Sequence, residues 1–139
     1  MNNRVAGEVG RLLVTVELLR NGFGVARPEC DDGFDLISVK KSCTKRLQVK
    51  TVSTESKRRP SEEFAIRRLR CRKRQPAARR DKNKYTPEEI DAFVFVSLVN
   101  QTFWVVPTRE VNMHGHSLSM RPKNRWHEAW HLLEDSDAA

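Results

Sequence analysis

Little in this sequence could serve as a cross-link. Its three cysteines, Cys30, Cys43 and Cys71, are odd in number, far apart and without a CxxC pair. Neither a disulfide framework nor a zinc ribbon is expected, and a reduced, cytoplasmic setting fits best. Long apolar runs are also missing: none approaches the ~18 residues of a membrane span. The opening MNNRVAGEVGRLLV has no apolar signal core and no small-residue cleavage site, so neither a leader nor a membrane partner is expected. The Gly22-Phe23-Gly24 run lacks the spacing and the following helix of a phosphate-cradling loop. No nucleophile elbow stands around any serine, and no internal repeat is found. The hydrophobic fraction, 38% of 139 residues, is low for a compact fold. One domain over residues 1–139 with one modest core is expected, with part of the chain outside that core.

Acidic residues are scarce in one stretch. Between Lys57 and Lys84 there are 13 Lys/Arg and 3 Asp/Glu, while the remainder of the chain holds 13 basic and 15 acidic residues. The net charge of +8 therefore comes from a basic insert, about residues 54–84, on a near-neutral body. A solvated loop is the plain reading. So little interleaved negative charge points instead to a polyanion, of which nucleic acid is the commonest. The expected DNA contacts are Lys57, Arg58, Arg59, Arg67, Arg68, Arg70, Arg72, Lys73, Arg74, Arg79, Arg80, Lys82 and Lys84.

Val5, Val9, Leu12, Val16 and Leu19 recur at spacings of four and three, which predicts a helix of roughly 16 residues with that stripe facing the core. Asn21-Gly22 ends it. GFGVARP reads as a short strand, ECDDG as a turn, and DLISVKK and KRLQVKTVS as two strands joined by a short hairpin connection. The insert's only hint of helix is EEFAIRRLR. DAFVFVSLV and TFWVVPT read as a hairpin of buried strands, with Phe103 and Trp104 alternating between core and surface. NMHGHSLSMRPKN reads as loop, and NRWHEAWHLLE as a final helix carrying Trp126, Trp130 and Leu133. Helix, three strands, insert, two strands and helix together predict a mixed α/β sheet with helices packed on it.

The chemistry sits in the DLISVKK/KRLQVKTVS pair. Residues two apart in a strand share a face, so Gln48 and Lys50 point one way and Leu47, Val49 and Thr51 the other. With the turn centred on Ser42-Cys43, Asp35 lies opposite Lys50 and Ile37 opposite Gln48. Asp35, Gln48 and Lys50 then cluster on one face, provided the register does not slip by one residue. Mg²⁺ takes oxygen ligands and is commonly held by one or two carboxylates plus substrate phosphate. Asp35, the Gln48 amide oxygen and the Val49 carbonyl can supply them. Lys50 can orient or help deprotonate a water, or neutralise charge on the phosphate. Glu8, one helical turn from both Val5 and Leu12, is a further metal candidate. Taken singly, Asp35 is an ordinary turn residue, QxK an exposed face and Glu8 a first-turn acid.

In order, these pieces resemble a known family. The stretch AGEVGRLLVTVELLRNGFGVARPECDDGFDLISVKKSCTKRLQVKTV is similar to the core of PD-(D/E)XK nucleases. A glutamate-bearing helix there leads to a GF strand, an Asp-Leu-Ile strand start and a strand ending in (E/Q)-x-K-T. Within that superfamily it most resembles the group I intron-associated homing endonucleases, with Tyr85-Thr86, Asp91-Ala92-Phe93 and Val106-Pro107 as a later shared block. It is also similar to archaeal Holliday-junction resolvases. The resemblance covers roughly residues 5–53 and 85–108.

It implies a restriction-endonuclease-like mixed central β-sheet flanked by helices. It also implies Mg²⁺-dependent hydrolysis of DNA phosphodiesters, with Mn²⁺ able to substitute. Asp35 would be the metal aspartate, Gln48 the replacement for the second acid, Lys50 the catalytic lysine and Glu8 the helix glutamate. Two departures stand out: Phe34 replaces the proline before Asp35, and Gln48 brings no negative charge. A structure-specific junction resolvase and a DNA-binding protein on a degenerate nuclease fold are the competing expectations. One active site per chain cannot cut both strands of a duplex, so a homodimer or homotetramer on double-stranded DNA is expected. Pairs at His127/His131 and His114/His116 have metal-binding spacing but no evident partner acid or cysteine.

Overall fold

The computed structural model describes residues 1–30, 33–53, 62–66, 85–115 and 117–134. All the basic contacts expected in the insert lie outside them, as do Cys71 and His116.

Helix α1, Asn3–Arg20, is capped by Asn2, whose side chain accepts a hydrogen bond from Val5 N at 2.9 Å. Its buried residues are Ala6, Gly10, Val14 and Leu18. The expected core stripe instead faces outward: Val5, Leu12, Val16 and Leu19 are 47%, 51%, 48% and 57% exposed. Close approach is the physical reason. A Cβ on Gly10 would lie 2.0 Å from Thr51 Oγ1, so the helix turns its small-residue face to the sheet and leaves its larger aliphatics out.

The central sheet has the order β1-β2-β3-β5-β6, with β1 Gly24–Ala26, β2 Leu36–Lys40, β3 Cys43–Val52, β5 Ala92–Ser97 and β6 Thr102–Pro107. Only β3–β5 is parallel, and a parallel pair needs a crossover. The insert supplies it, and it contributes β4, Glu62–Ala65, which pairs antiparallel with β7, Ser117–Met120. Both strands correct the sequence reading. Residues with an expected hint of helix form β4, and part of the expected loop forms β7. A short helix, α2, spans Thr108–Val111. The expected C-terminal helix is replaced by a bridge between Trp104 and His127 and a 3₁₀ turn at Trp130–Leu133. Glu128, with φ of 48°, breaks any continuous helix between them.

Two apolar layers follow. Val14, Leu18, Leu36, Leu47, Val49, Val94 and Phe103 pack on the α1 side. Phe64, Ile66, Tyr85, Phe93, Phe95, Trp104 and Leu118 pack under β4–β7. With both faces covered, every residue of β5 is buried, and Phe103 and Trp104 are both core instead of alternating with solvent.

Asp91 sets β5 against β3. Its N–H donates to Arg46 O at 2.9 Å, and its carboxylate accepts from Arg46 N at 2.7 Å and Arg46 Nε at 3.1 Å. Burial alone would raise the Asp91 pKa. The hydrogen bonds and charge of Arg46 outweigh it and hold the carboxyl below its ordinary value. The stabilisation is complete above the unfolded-state pKa and is lost as the pH falls through the lower folded-state value. Urea unfolding should show this loss beginning below about pH 4. Asp91→Ala should cost about 2 kcal/mol at pH 7 and flatten that acid limb; an unaltered limb would assign the acid sensitivity to other groups.

Candidate active site

The β2–β3 hairpin turns at Lys41-Ser42, not Ser42-Cys43, because Lys40 pairs with Cys43. Lys41 has φ of 55°, the positive value that a two-residue hairpin requires at its first turn position. The register shifts by two residues, with Leu36 opposite Leu47. Continuing it places Asp35 beside Gln48, not Lys50. A two-residue shift preserves the faces, so the expected clustering of Asp35 with the Gln48/Lys50 face stands with changed partners.

Pairing with β2 stops at Leu47, whereas pairing with β5 runs on to Val52. One edge of β3 is thereby opened from Gln48 onward, and Asp35 sits at that opening. Its N–H donates to Leu47 O at 2.8 Å, and its Oδ2 accepts from Val49 N at 2.9 Å. A strand residue's N–H and C=O point to the same edge, so the Val49 carbonyl also faces the opening. An open cleft there is lined by Arg4, Gly7, Glu8, Arg11, Asp35, Gln48 and Val49. The cleft thus gathers four of the five residues expected to serve the metal and the chemistry.

Lys50 is not in that lining. It lies two residues on from Gln48, where its Nζ donates to Tyr85 Oη at 3.4 Å and lies 5.1 Å from the Tyr85 ring centre. Glu8 is bound by two arginines: Oε2 pairs with Arg11, and Oε1 accepts from Arg27 at 3.3 Å. Among the described residues, no group of three or more His, Cys, Asp or Glu is gathered for a metal. The His127/His131 spacing loses its meaning without the expected helix.

A model of the PD-(D/E)XK endonuclease family matches residues 1–132. The chain belongs to that family. The match runs through the insert and the C-terminal segment, beyond the two stretches on which the sequence resemblance rested. No curated protein matches the sequence. Among solved structures, the chain is similar to a bacterial homing endonuclease, I-Ssp6803I. The two share 20% identity at a TM-score of 0.72, over 94% of this chain and 90% of that one. The likeness shows the fold: a restriction-endonuclease-like mixed sheet with its helices.

Arg4 and Arg11 line this cleft without having been foreseen, and Arg27 reaches it only through its ion pair with Glu8; Tyr85, expected only as part of the later shared block, proves to be the partner of Lys50. A signal for the first two was present, since Arg4, Glu8 and Arg11 recur at helical spacing. Arg27 follows β1, and only the fold brings it to Glu8.

Proposed function

We propose that this endonuclease hydrolyses phosphodiester bonds of double-stranded DNA with Mg²⁺, as a sequence-specific, homing-type enzyme. One observation carries the reading: Asp35, Gln48, Val49 and Glu8 line a single cleft at the open edge of β3. Their donors are all oxygens, with Asp35 fixed by a main-chain N–H and the Val49 carbonyl facing the same edge. That set fits a hard divalent ion that keeps waters and takes one or two carboxylates; Mn²⁺ would substitute. When bound, such an ion would polarise the phosphate and make water easier to deprotonate.

Asp35, Gln48 and the Val49 carbonyl would hold it. Lys50, on the Gln48 face, orients the attacking water or neutralises phosphate charge as it develops. Arg4 and Arg11 offer guanidinium groups to a DNA backbone, their charge balanced in the free protein by Glu8 and Asp35. The competing readings are a junction resolvase and a non-catalytic DNA-binding protein. Linear duplex and a four-way junction, each offered with Mg²⁺, separate them. Duplex cleavage is expected. Cutting of the junction alone would make it a resolvase, and binding without cutting would make it a binder.

Gln48 gives a finer test. Glutamate has nearly the shape of glutamine and is a better Mg²⁺ ligand, so Gln48→Glu should retain at least partial cleavage and need less metal. An inactive Gln48→Glu beside an active Gln48→Ala would remove the amide from the ligand set.

The endonuclease works as a homodimer or homotetramer, because one cleft serves one strand. Strands β5 and β6 and Trp130 are buried in the core and offer no partner surface, whereas the α1 stripe is exposed. At about 27 Å by 10 Å, that stripe offers roughly 270 Å², a third of the roughly 800 Å² each partner gives a standard interface. It would be the centre of a larger contact. Light scattering should show a dimer or tetramer that Leu12→Glu dissociates. A one-to-one monomer complex that still makes double-strand breaks would contradict this.

A further inference from the structure

We infer that Arg11 and Arg27 are the endonuclease's grip on a backbone phosphate at the cleft, and that Glu8 holds their place until DNA arrives. The inference rests on the cleft being the cleavage site. Glu8 carries one guanidinium on each carboxylate oxygen, Arg11 on Oε2 and Arg27 on Oε1. The two arginines come from separate parts of the chain, one from α1 and one from just beyond β1, so the carboxylate is what gathers them. The Arg11 side chain is 26% exposed. Its Nε is buried and has no acceptor among the described residues, so Glu8 leaves the guanidinium incompletely satisfied.

A phosphodiester matches a carboxylate in what an arginine fork reads. Each carries one negative charge on a pair of equivalent oxygens, and guanidinium binds both in bidentate fashion. The phosphate adds ester oxygens, which can serve a donor that Glu8 does not reach. Glu8 and Arg11 line the cleft that also holds Asp35 and Gln48, and Arg27 meets that lining through Glu8, so a phosphate taking the place of the Glu8 carboxylate between the two arginines would sit beside the proposed metal ligands. Exchange of partners would also release the Glu8 carboxylate toward Asp35. Glu8 is then a positioning residue in the free protein, and its availability to a metal follows DNA binding.

The test is duplex binding without any divalent ion, measured by fluorescence anisotropy in EDTA over a salt series with the full chain. Glu8→Gln removes the competitor for the guanidiniums and should tighten binding severalfold, up to about ten-fold. Arg11→Ala and Arg27→Ala should each weaken binding and reduce the log–log salt slope by about 0.9. Arg11→Lys should recover the slope, but not the single-turnover cleavage rate with Mg²⁺, because lysine lacks the fork.

If Glu8→Gln leaves affinity unchanged or lowers it in a folded protein, the ion pairs are structural and the inference fails. Should Glu8→Gln or Arg11→Ala unfold, Arg27→Ala decides: Arg27 is 48% exposed, and an unchanged slope overturns the proposal. Wild-type protein that cuts duplex while these variants behave as wild type defeats only this inference. Wild-type protein that neither binds nor cuts duplex defeats the reading of the cleft itself.

Discussion

Replacing Asp35 or Lys50 by alanine should slow DNA cleavage by about 10³-fold or more, while duplex binding and folding persist. Asp35 lines the cleft and is held there by Val49 N and Leu47 O. Lys50 is half-buried on the face it shares with Gln48 and leans on Tyr85. Neither side chain belongs to the two apolar layers, so truncation removes chemistry more than packing. Single-turnover cleavage and anisotropy on the same preparations separate the two effects. Cleavage at the wild-type rate by Lys50→Ala would take Lys50 out of the reaction.

The second large effect belongs to the insert. Arg67, Arg68, Arg70, Arg72, Lys73 and Arg74 fall within eight residues and outside the described structure. If each neutralises one phosphate, changing all six to glutamine should lower the log–log salt slope by about 5, at about 0.9 per contact. Binding to every duplex should weaken alike, because phosphate contacts carry no sequence information. An unchanged slope would make the insert a bystander. A loss of specificity exceeding the loss of affinity would mean that some of these arginines read base edges.

Alternation along β3 was legible because it is a property of the strand itself. Leu47 and Val49 had to be buried, so Gln48 and Lys50 had to face the other way. The hairpin register was not legible, since nothing in Lys40-Lys41-Ser42-Cys43 announces the positive φ that Lys41 adopts; no Gly or Asn marks it. Helix α1 was recognisable, but its orientation was not. Hydrophobicity selects Val5, Leu12, Val16 and Leu19, whereas the approach of Thr51 to Gly10 selects the opposite face. Trp126, Trp130 and Leu133 have helical spacing, yet the chain there bridges to Trp104 and tightens into a 3₁₀ turn. The insert does carry a strand signal. Glu62, Phe64 and Ile66 alternate with period two, and all three are buried.

We propose that this PD-(D/E)XK endonuclease cuts DNA through an Asp35-centred metal site. Incubating the purified protein with duplex DNA across a Mg²⁺ titration, with EDTA added to a parallel series, tests it most directly. Cleavage should rise with Mg²⁺, stop with EDTA, return when Mg²⁺ is restored in excess and be absent in Asp35→Ala at every concentration. Cleavage that persists in EDTA, or that Asp35→Ala retains, would contradict the account.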